Sequence, residues 1–209
     1  YPTGVDERLL ELMAREERIL PYLDIPMQHV SSTVLRRMNR RYTTGDLYSM
    51  IDLIRGYLPE VALRTSMMVG FPGETEADVR ELEAFLRTAR IDHVGTFIYA
   101  NEPGAPSEQF DGQVDAEEGE ERMARIMAVQ SEVSAEIQQR YVGRVEPVLL
   151  EGLSRESDLL LEGRTRFQAP DIDGCVYITD GEANPGDIVQ VRISEAQIYD
   201  LVGEIVGRA

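Results

Sequence analysis

The 209-residue chain has no lysine, no tryptophan, one cysteine (Cys175) and two histidines (His29, His93); all 21 of its basic residues are arginine. Each absence removes a class of chemistry. Without lysine there is no Walker-type phosphate loop and no Schiff base, since both need an ε-amine. One cysteine excludes an internal disulfide, a CxxC redox pair and a self-contained cysteine-ligated cluster. Two histidines do not make a three-histidine zinc site. Positive charge is also scarce: 38 acidic residues leave a formal charge of −17, which argues against broad binding to a phosphate backbone. No apolar run approaches a membrane span and no signal peptide opens the chain, so a reducing, cytoplasmic setting is expected. The sequence begins Tyr1-Pro2-Thr3-Gly4 rather than with Met, and a piece of a longer protein is expected.

What is present alternates between helix and strand as far as about residue 110. Val5 to Arg15 reads as a helix with Leu9, Leu12 and Met13 on one face. Tyr22 to Ile25 is a short strand ended by Pro26. A helix begins at Ser31, and Thr43 with Asp46 forms a capping box for the next one. Ala62 to Val69 is a buried-type strand closed by Gly70-Phe71-Pro72-Gly73. Thr75 and Asp78 cap the helix after it, and His93 to Ala100 is the following strand. This repetition implies parallel strands with helices outside. Residues 101–121 read as an irregular connection, followed by a helix to about Tyr141. Beyond Gly143 five short strands are expected, at Val145–Leu150, Asp158–Glu162, Cys175–Ile178, Asp187–Ile193 and Asp200–Val206. That spacing suggests a small oligonucleotide/oligosaccharide-binding type of barrel. The predicted division is 1–140 and 141–209.

Three strand-end loops are candidate chemistry, because parallel β/α folds place their sites at the carboxyl ends of strands. In Pro26-Met27-Gln28-His29, Gln28 can read hydroxyls or amides, and His29 either moves a proton or satisfies a backbone group. In Gly70 to Thr75, the glycines permit close backbone approach and the helix N-terminus favours anions; a plain capped turn fits equally. Arg64, on the strand leading there, needs an acidic partner or a carboxylate ligand. In Tyr99 to Gly104, Tyr99 can stack and Glu102 can bind an amine, against the alternative of a polar loop. Cys175 and His93 read as structural.

Tyr22-Leu23-Asp24-Ile25-Pro26-Met27-Gln28-His29, Val69-Gly70-Phe71-Pro72-Gly73-Glu74-Thr75 and Tyr199-Asp200-Leu201-Val202-Gly203-Glu204 together resemble a radical S-adenosylmethionine (SAM) methylthiotransferase. The last barrel resembles its TRAM domain. The resemblance implies an α/β plus all-β fold: the C-terminal part of a radical SAM (β/α) TIM-like barrel, then a five-stranded OB-like TRAM barrel. It implies SAM and two [4Fe–4S] clusters, one held by a CxxxCxxC motif that this sequence does not contain, so this chain alone is expected to be inactive. No catalytic acid or base and no metal ligand is implied within it. The SAM-facing residues implied are Gln28, Arg64, Gly70 and Tyr99, with Asp24, His29 and Glu102 orienting substrate or SAM.

Two branches of that family differ in target. One modifies an adenosine of tRNA; the RimO type adds a methylthio group to the β-carbon of an aspartate in a small-subunit ribosomal protein. The segment Tyr22–His29 and the Tyr-Asp-Leu-Val-Gly-Glu ending resemble the RimO type, whereas the tRNA branch usually has Gln-Ser-Gly-Ser where Gln28-His29-Val30-Ser31 stands. Charge points the same way. From Tyr141 onward there are 13 acidic and 6 basic residues, a net −7. An acidic barrel suits a basic ribosomal protein and disfavours tRNA. Outside that family, a non-enzymatic RNA- or protein-binding module stays open.

Overall fold

The computed structural model describes residues 1–208 and divides the chain into two compact units, Tyr1–Ile19 with Leu23–Gln130, and Leu20–Tyr22 with the residues from Ser131 onward. The predicted boundary at 140/141 lies further along the chain. The long helix α5 (Ala116–Gln138) carries the chain from one unit to the other, and its last turns group with the barrel that follows.

The first unit is an α/β layer. After α1 (Glu7–Arg15) come β1 (Tyr22–Asp24), α2 (Ser32–Arg37), α3 (Thr44–Tyr57), β2 (Ala62–Val69), α4 (Glu76–Ala89) and β3 (His93–Ile98). The sheet order is β1-β2-β3, with β2 and β3 parallel in the register Arg64 to His93 through Val69 to Ile98. Both capping boxes form: Asp46 closes on Thr43, and Asp78 on Thr75. Pro59 follows the Leu58 cap, where a missing N–H and ring clash stop a helix. In α1 the buried stripe is Leu10 and Met13, while Leu12 is exposed. Leu9 also packs against this core, so of the expected face only Leu12 turns outward, and the helix starts at Glu7, capped by the Asp6 side chain, rather than at Val5.

Side chains on β2 alternate as a half-buried strand requires. Leu63, Thr65, Met67 and Val69 are buried with the helices' apolar residues, among them Leu47, Ile54, Val79, Leu82 and Phe85. Arg64, Ser66 and Met68 point to the other face and stay partly exposed. Their register partners there are His93, Gly95 and Phe97, with Phe97 itself exposed. A sheet face with a polar centre and an open aromatic is therefore left without a packing layer in this unit.

The second unit is a closed barrel of β4 (Val145–Leu153), β5 (Leu161–Thr165), β6 (Val176–Asp180), β7 (Ile188–Ala196) and β8 (Leu201–Arg208), ordered β4-β5-β6-β8-β7. Its closing pair β6–β8 is parallel and the other pairs are antiparallel. Val148, Leu150, Val176, Ile178, Val189, Val191, Ile193 and Leu201 fill it. Gly203 faces the backbone of β7 so closely that a Cβ there would stand 2.5 Å from the Arg192 carbonyl oxygen. The second strand starts at Leu161 rather than near Asp158. Ser154 N–H bonds the Leu160 carbonyl at 2.8 Å, which makes 154–160 a closed turn instead of ladder.

Candidate functional site at the strand ends

The carboxyl ends of the three strands bring together most of the residues singled out from sequence. Beyond β1 the chain stays on the sheet. The Ile25 N–H bonds the Arg64 carbonyl at 2.8 Å, the Gln28 N–H bonds the Ser66 carbonyl at 2.9 Å, and Met68 N–H returns to the Gln28 carbonyl at 2.6 Å. Thr65 locks this extension from below: its hydroxyl donates to the Ile25 carbonyl and accepts from the Met27 N–H. Gln28 takes a left-handed conformation, φ +70°, costly for a side chain other than Gly, Asn or Asp. Its surroundings hold it there, as strained residues at ligand sites usually are held.

On the open face, Arg64 donates to the Asp24 carboxylate at 2.8 Å. Gly95 stands opposite Ser66, beside the guanidinium; a Cβ there would make an ordinary contact with it at 3.7 Å. Asp24, Arg64 and Ser66 thus form one polar strip on this face, with Met68 and Phe97 beside it, and Gln28 bridges to Met67 where the extension of β1 ends.

Gly70, Tyr99 and Glu102 are placed differently. The Gly70 N–H is bonded by the Glu74 carboxylate, and Ile98, Gly119 and Val114 surround the position a Cβ would take. Tyr99 packs edge-on against Phe71 at 5.0 Å, and its hydroxyl bonds Ser107 at 2.8 Å and Asn101 at 3.2 Å. Glu102 is exposed on the loop after it. His29 is fully buried; its Nδ1 accepts the Ser31 N–H at 2.9 Å and its Nε2 has no hydrogen-bond partner. Burial lowers its pKa to about 4, with Asp78 opposing and Arg122 adding to the shift. It is a neutral, enclosed ring that satisfies a backbone group.

The turn after β2 is not an open anion site. Glu74 folds back so that one carboxylate oxygen accepts from both Gly70 and Phe71 N–H, Asp78 accepts the Thr75 N–H, and Gly73 N–H goes to the Gly112 carbonyl. The chain's own carboxylates occupy the donors that an anion would use.

One residue that sequence reasoning passed over closes this arrangement. Arg122 of α5 is 5% exposed, donates to the Glu74 carbonyl at 3.1 Å, lies 3.5 Å from its carboxylate and also bonds Glu118. Burial raises the Glu74 pKa to about 7, against the pull of Arg122 and the two amides. At Asp78 burial also pushes upward, but hydrogen bonds from Ser31 (2.5 Å) and Thr75 outweigh it and hold the carboxyl below its usual value. An arginine inside the apolar stripe of Met123 and Ile126 was the available signal for Arg122; its partner was not readable without the fold.

In the second unit, a cavity of about 370 Å³ is lined by six carboxylates, including Glu156, Glu162 and Asp200, and by two arginines. Both arginines are engaged, Arg164 with Glu151 and Arg155 with Asp171. Cys175 lies on this wall just before β6, rather than inside the strand. Burial pushes its thiol up to about 12, with Asp200 and Glu162 adding to the shift. The described residues contain no group of three or more His, Cys, Asp or Glu able to hold a metal.

Comparison with known proteins agrees with both halves. Residues 2–86 match the radical SAM superfamily and residues 142–206 match the TRAM domain. The solved structure of coproporphyrinogen III oxidase (HemN) from Escherichia coli, a radical SAM enzyme, superimposes with a TM-score of 0.54 at 11% identity, over 79% of this chain and 45% of that one, a likeness of fold. The class is therefore a radical SAM α/β domain joined to a TRAM barrel. Along its whole length the chain is similar to RimO-type methylthiotransferases. It is 53% identical to the ribosomal protein uS12 methylthiotransferase RimO of Desulfotalea psychrophila and 47% identical to that of Geotalea uraniireducens, each over 99% of this chain and 46% of theirs. The chain thus spans about half the length of the curated relatives it matches.

Proposed function

We propose that this chain supplies the SAM-facing sheet and the target-recognising barrel of an enzyme that adds a methylthio group to the β-carbon of an aspartate in a small-subunit ribosomal protein. One observation carries the reading: similarity to the uS12 methylthiotransferases runs through sheet and barrel alike, over 99% of the chain, rather than stopping at the sheet that all radical SAM proteins share.

The open strip suits a ligand such as SAM, which carries an ammonium, a carboxylate, a sulfonium and a nucleoside. In this reading Gln28 offers donor and acceptor to polar groups. Arg64, oriented by Asp24, holds a carboxylate or ribose oxygen. Gly70 and Tyr99 border the site, and Glu102, on the loop after Tyr99, orients substrate or SAM. Bound SAM would supply the radical and methyl chemistry. The residues described do not fit an iron–sulfur cluster, since the one thiol is Cys175 in the barrel unit and is held neutral. The two [4Fe–4S] clusters of such an enzyme are therefore assigned no ligand here, and no step is derived through them.

For the target, the acidic cavity and the barrel's net −7 favour the arginine- and lysine-rich surface of a ribosomal protein over tRNA. A cytoplasmic setting belongs to the same proposal; no helix among the described residues is long and apolar enough to cross a membrane. Binding of the purified chain to small-subunit ribosomal protein and to tRNA, measured across a salt series, tests it. Tighter binding to the protein is expected. Preferential retention of tRNA with a steep salt slope overturns the assignment of target.

A further inference from the structure

Residues 101–115, between β3 and α5, form a strap across the carboxyl ends of β2 and β3. The strap is mostly exposed, with Ala105, Ser107, Phe110 and Val114 half-buried. It holds its own shape. The Gln113 amide donates to the carbonyls of Ser107 and Phe110 at 3.0 Å each, and the Gly104 N–H is capped by Glu108 at 2.7 Å. It is thus a compact loop closed by its own hydrogen bonds.

What it covers is the strand-end region. Ser107 bonds the Tyr99 hydroxyl, Phe110 meets Phe71 edge-on at 6.2 Å, and Val114 stands over Gly70. One side chain ties it to both α2 and the turn after β2. Arg37, the last residue of α2, donates from Nε to the Pro72 carbonyl at 2.8 Å. One of its terminal nitrogens reaches the Asp111 carbonyl at 2.9 Å and the Asp111 carboxylate at 2.6 Å. Its guanidinium lies 5.3 Å from the centre of the Phe110 ring. A single planar fork therefore joins α2, the turn after β2 and the strap, which a lysine's single ammonium would not reproduce. Gly73 accommodates it: a Cβ there would stand 2.6 Å from the Arg37 Nε.

We propose that residues 101–115 are a lid and that Arg37 is its latch, so that release of this one side chain governs passage of ligand to the strand ends. The inference rests on the reading that those strand ends hold a SAM-type ligand. The energetics suit a gate. The Asp111 side chain is 92% exposed, so its ion pair with Arg37 is of the weak surface kind. Few apolar groups of the strap are withdrawn from water, and segments of that type open locally without global unfolding. Arg37 acts as a positioning residue; it touches the lid and the turn, not the ligand strip of Asp24, Arg64 and Ser66.

The test uses the full chain and its variants Arg37→Gln and Arg37→Lys. Hydrogen exchange is followed at the Gly73 amide, which bonds Gly112 in the strap at 2.7 Å, and at β2 amides as the control. Association and dissociation of S-adenosylhomocysteine are followed by stopped flow. Exchange at Gly73 is expected to quicken roughly tenfold in Arg37→Gln, less in Arg37→Lys, with β2 unchanged. Both ligand rates are expected to rise together, roughly three- to tenfold, with little change in their ratio. Unchanged exchange at Gly73, or a rise spread equally over β2, overturns the latch. Faster exchange with an unchanged association rate overturns the gate. If the wild-type chain does not bind S-adenosylhomocysteine, the reading of the ligand fails and the gate with it, while the exchange result still decides the latch.

Discussion

The Glu74 carboxylate lies 3.5 Å from the Arg122 guanidinium, and both side chains are almost wholly withdrawn from water. Neither is poised to bind a ligand. Together they tie the turn after β2 to helix α5, because Glu74 also holds the amides of Gly70 and Phe71. A buried pair of this kind is weak evidence for net stability, but removal of one partner is costly because it strands the other. Arg122→Ala is expected to destabilise the chain by about 3 kcal/mol or more, read by chemical denaturation.

Stability should carry an unusual pH profile. The Glu74 pKa is raised from 4.5 to about 7 in the folded chain, so its contribution is fully present below pH 4.5 and is lost as pH rises to about 7. The His29 pKa is lowered from 6.5 to about 4, so its contribution is present above pH 6.5 and is lost as pH falls towards 4. Between about pH 4.5 and 6.5 the two slopes oppose each other. Glu74→Gln leaves the His29 slope, and its denaturation midpoint is expected to rise with pH through that window more steeply than wild type. An identical profile in the variant contradicts the assignment.

Gly73→Ala meets two obstacles. Its φ of +85° disfavours any Cβ, and that Cβ would collide with the Arg37 Nε. A loss of about 1–3 kcal/mol is expected. In an Arg37→Gln background the collision is relieved, so the same substitution should cost less. Additive losses in the double-mutant cycle would show that the clash contributes nothing.

Arg64→Ala separates ligand contact from fold. Its pair with Asp24 is partly exposed, so its removal is expected to cost under about 1 kcal/mol of stability. Affinity for S-adenosylhomocysteine, by calorimetry, is expected to fall roughly tenfold, the value of one charged hydrogen bond.

In the barrel, Glu156→Gln with Glu162→Gln removes two charges from the acidic cavity. Binding to an arginine-rich peptide is expected to weaken a few-fold at low ionic strength and to converge with wild type at high salt. Equal binding at low salt shows that the cavity does not contact the peptide.

Much of the fold was legible because local rules and global packing agree here. Alternating burial along β2, the two capping boxes and Pro59 each have a nearest-neighbour cause, and the three strand-end loops were found for the same reason. Polar side chains in the interior were not legible. His29 could be read as a proton carrier until its enclosure and its bond to Ser31 were seen. Gly70 to Thr75 could be read as an anion cradle until Glu74 and Asp78 were seen in it.

By itself, then, the sequence determined the order of elements, the two-part organisation, the acidic character and the resemblance to radical SAM methylthiotransferases, because periodicity, caps and motif spacing are properties of contiguous residues. Only the tertiary structure decided which polar groups face the open sheet and which are consumed internally. Asp24 with Arg64, Glu74 with Arg122 and Arg37 with Asp111 are 40, 48 and 74 residues apart. A partner at that distance is chosen by how the strands and helices pack, not by anything the neighbouring residues record.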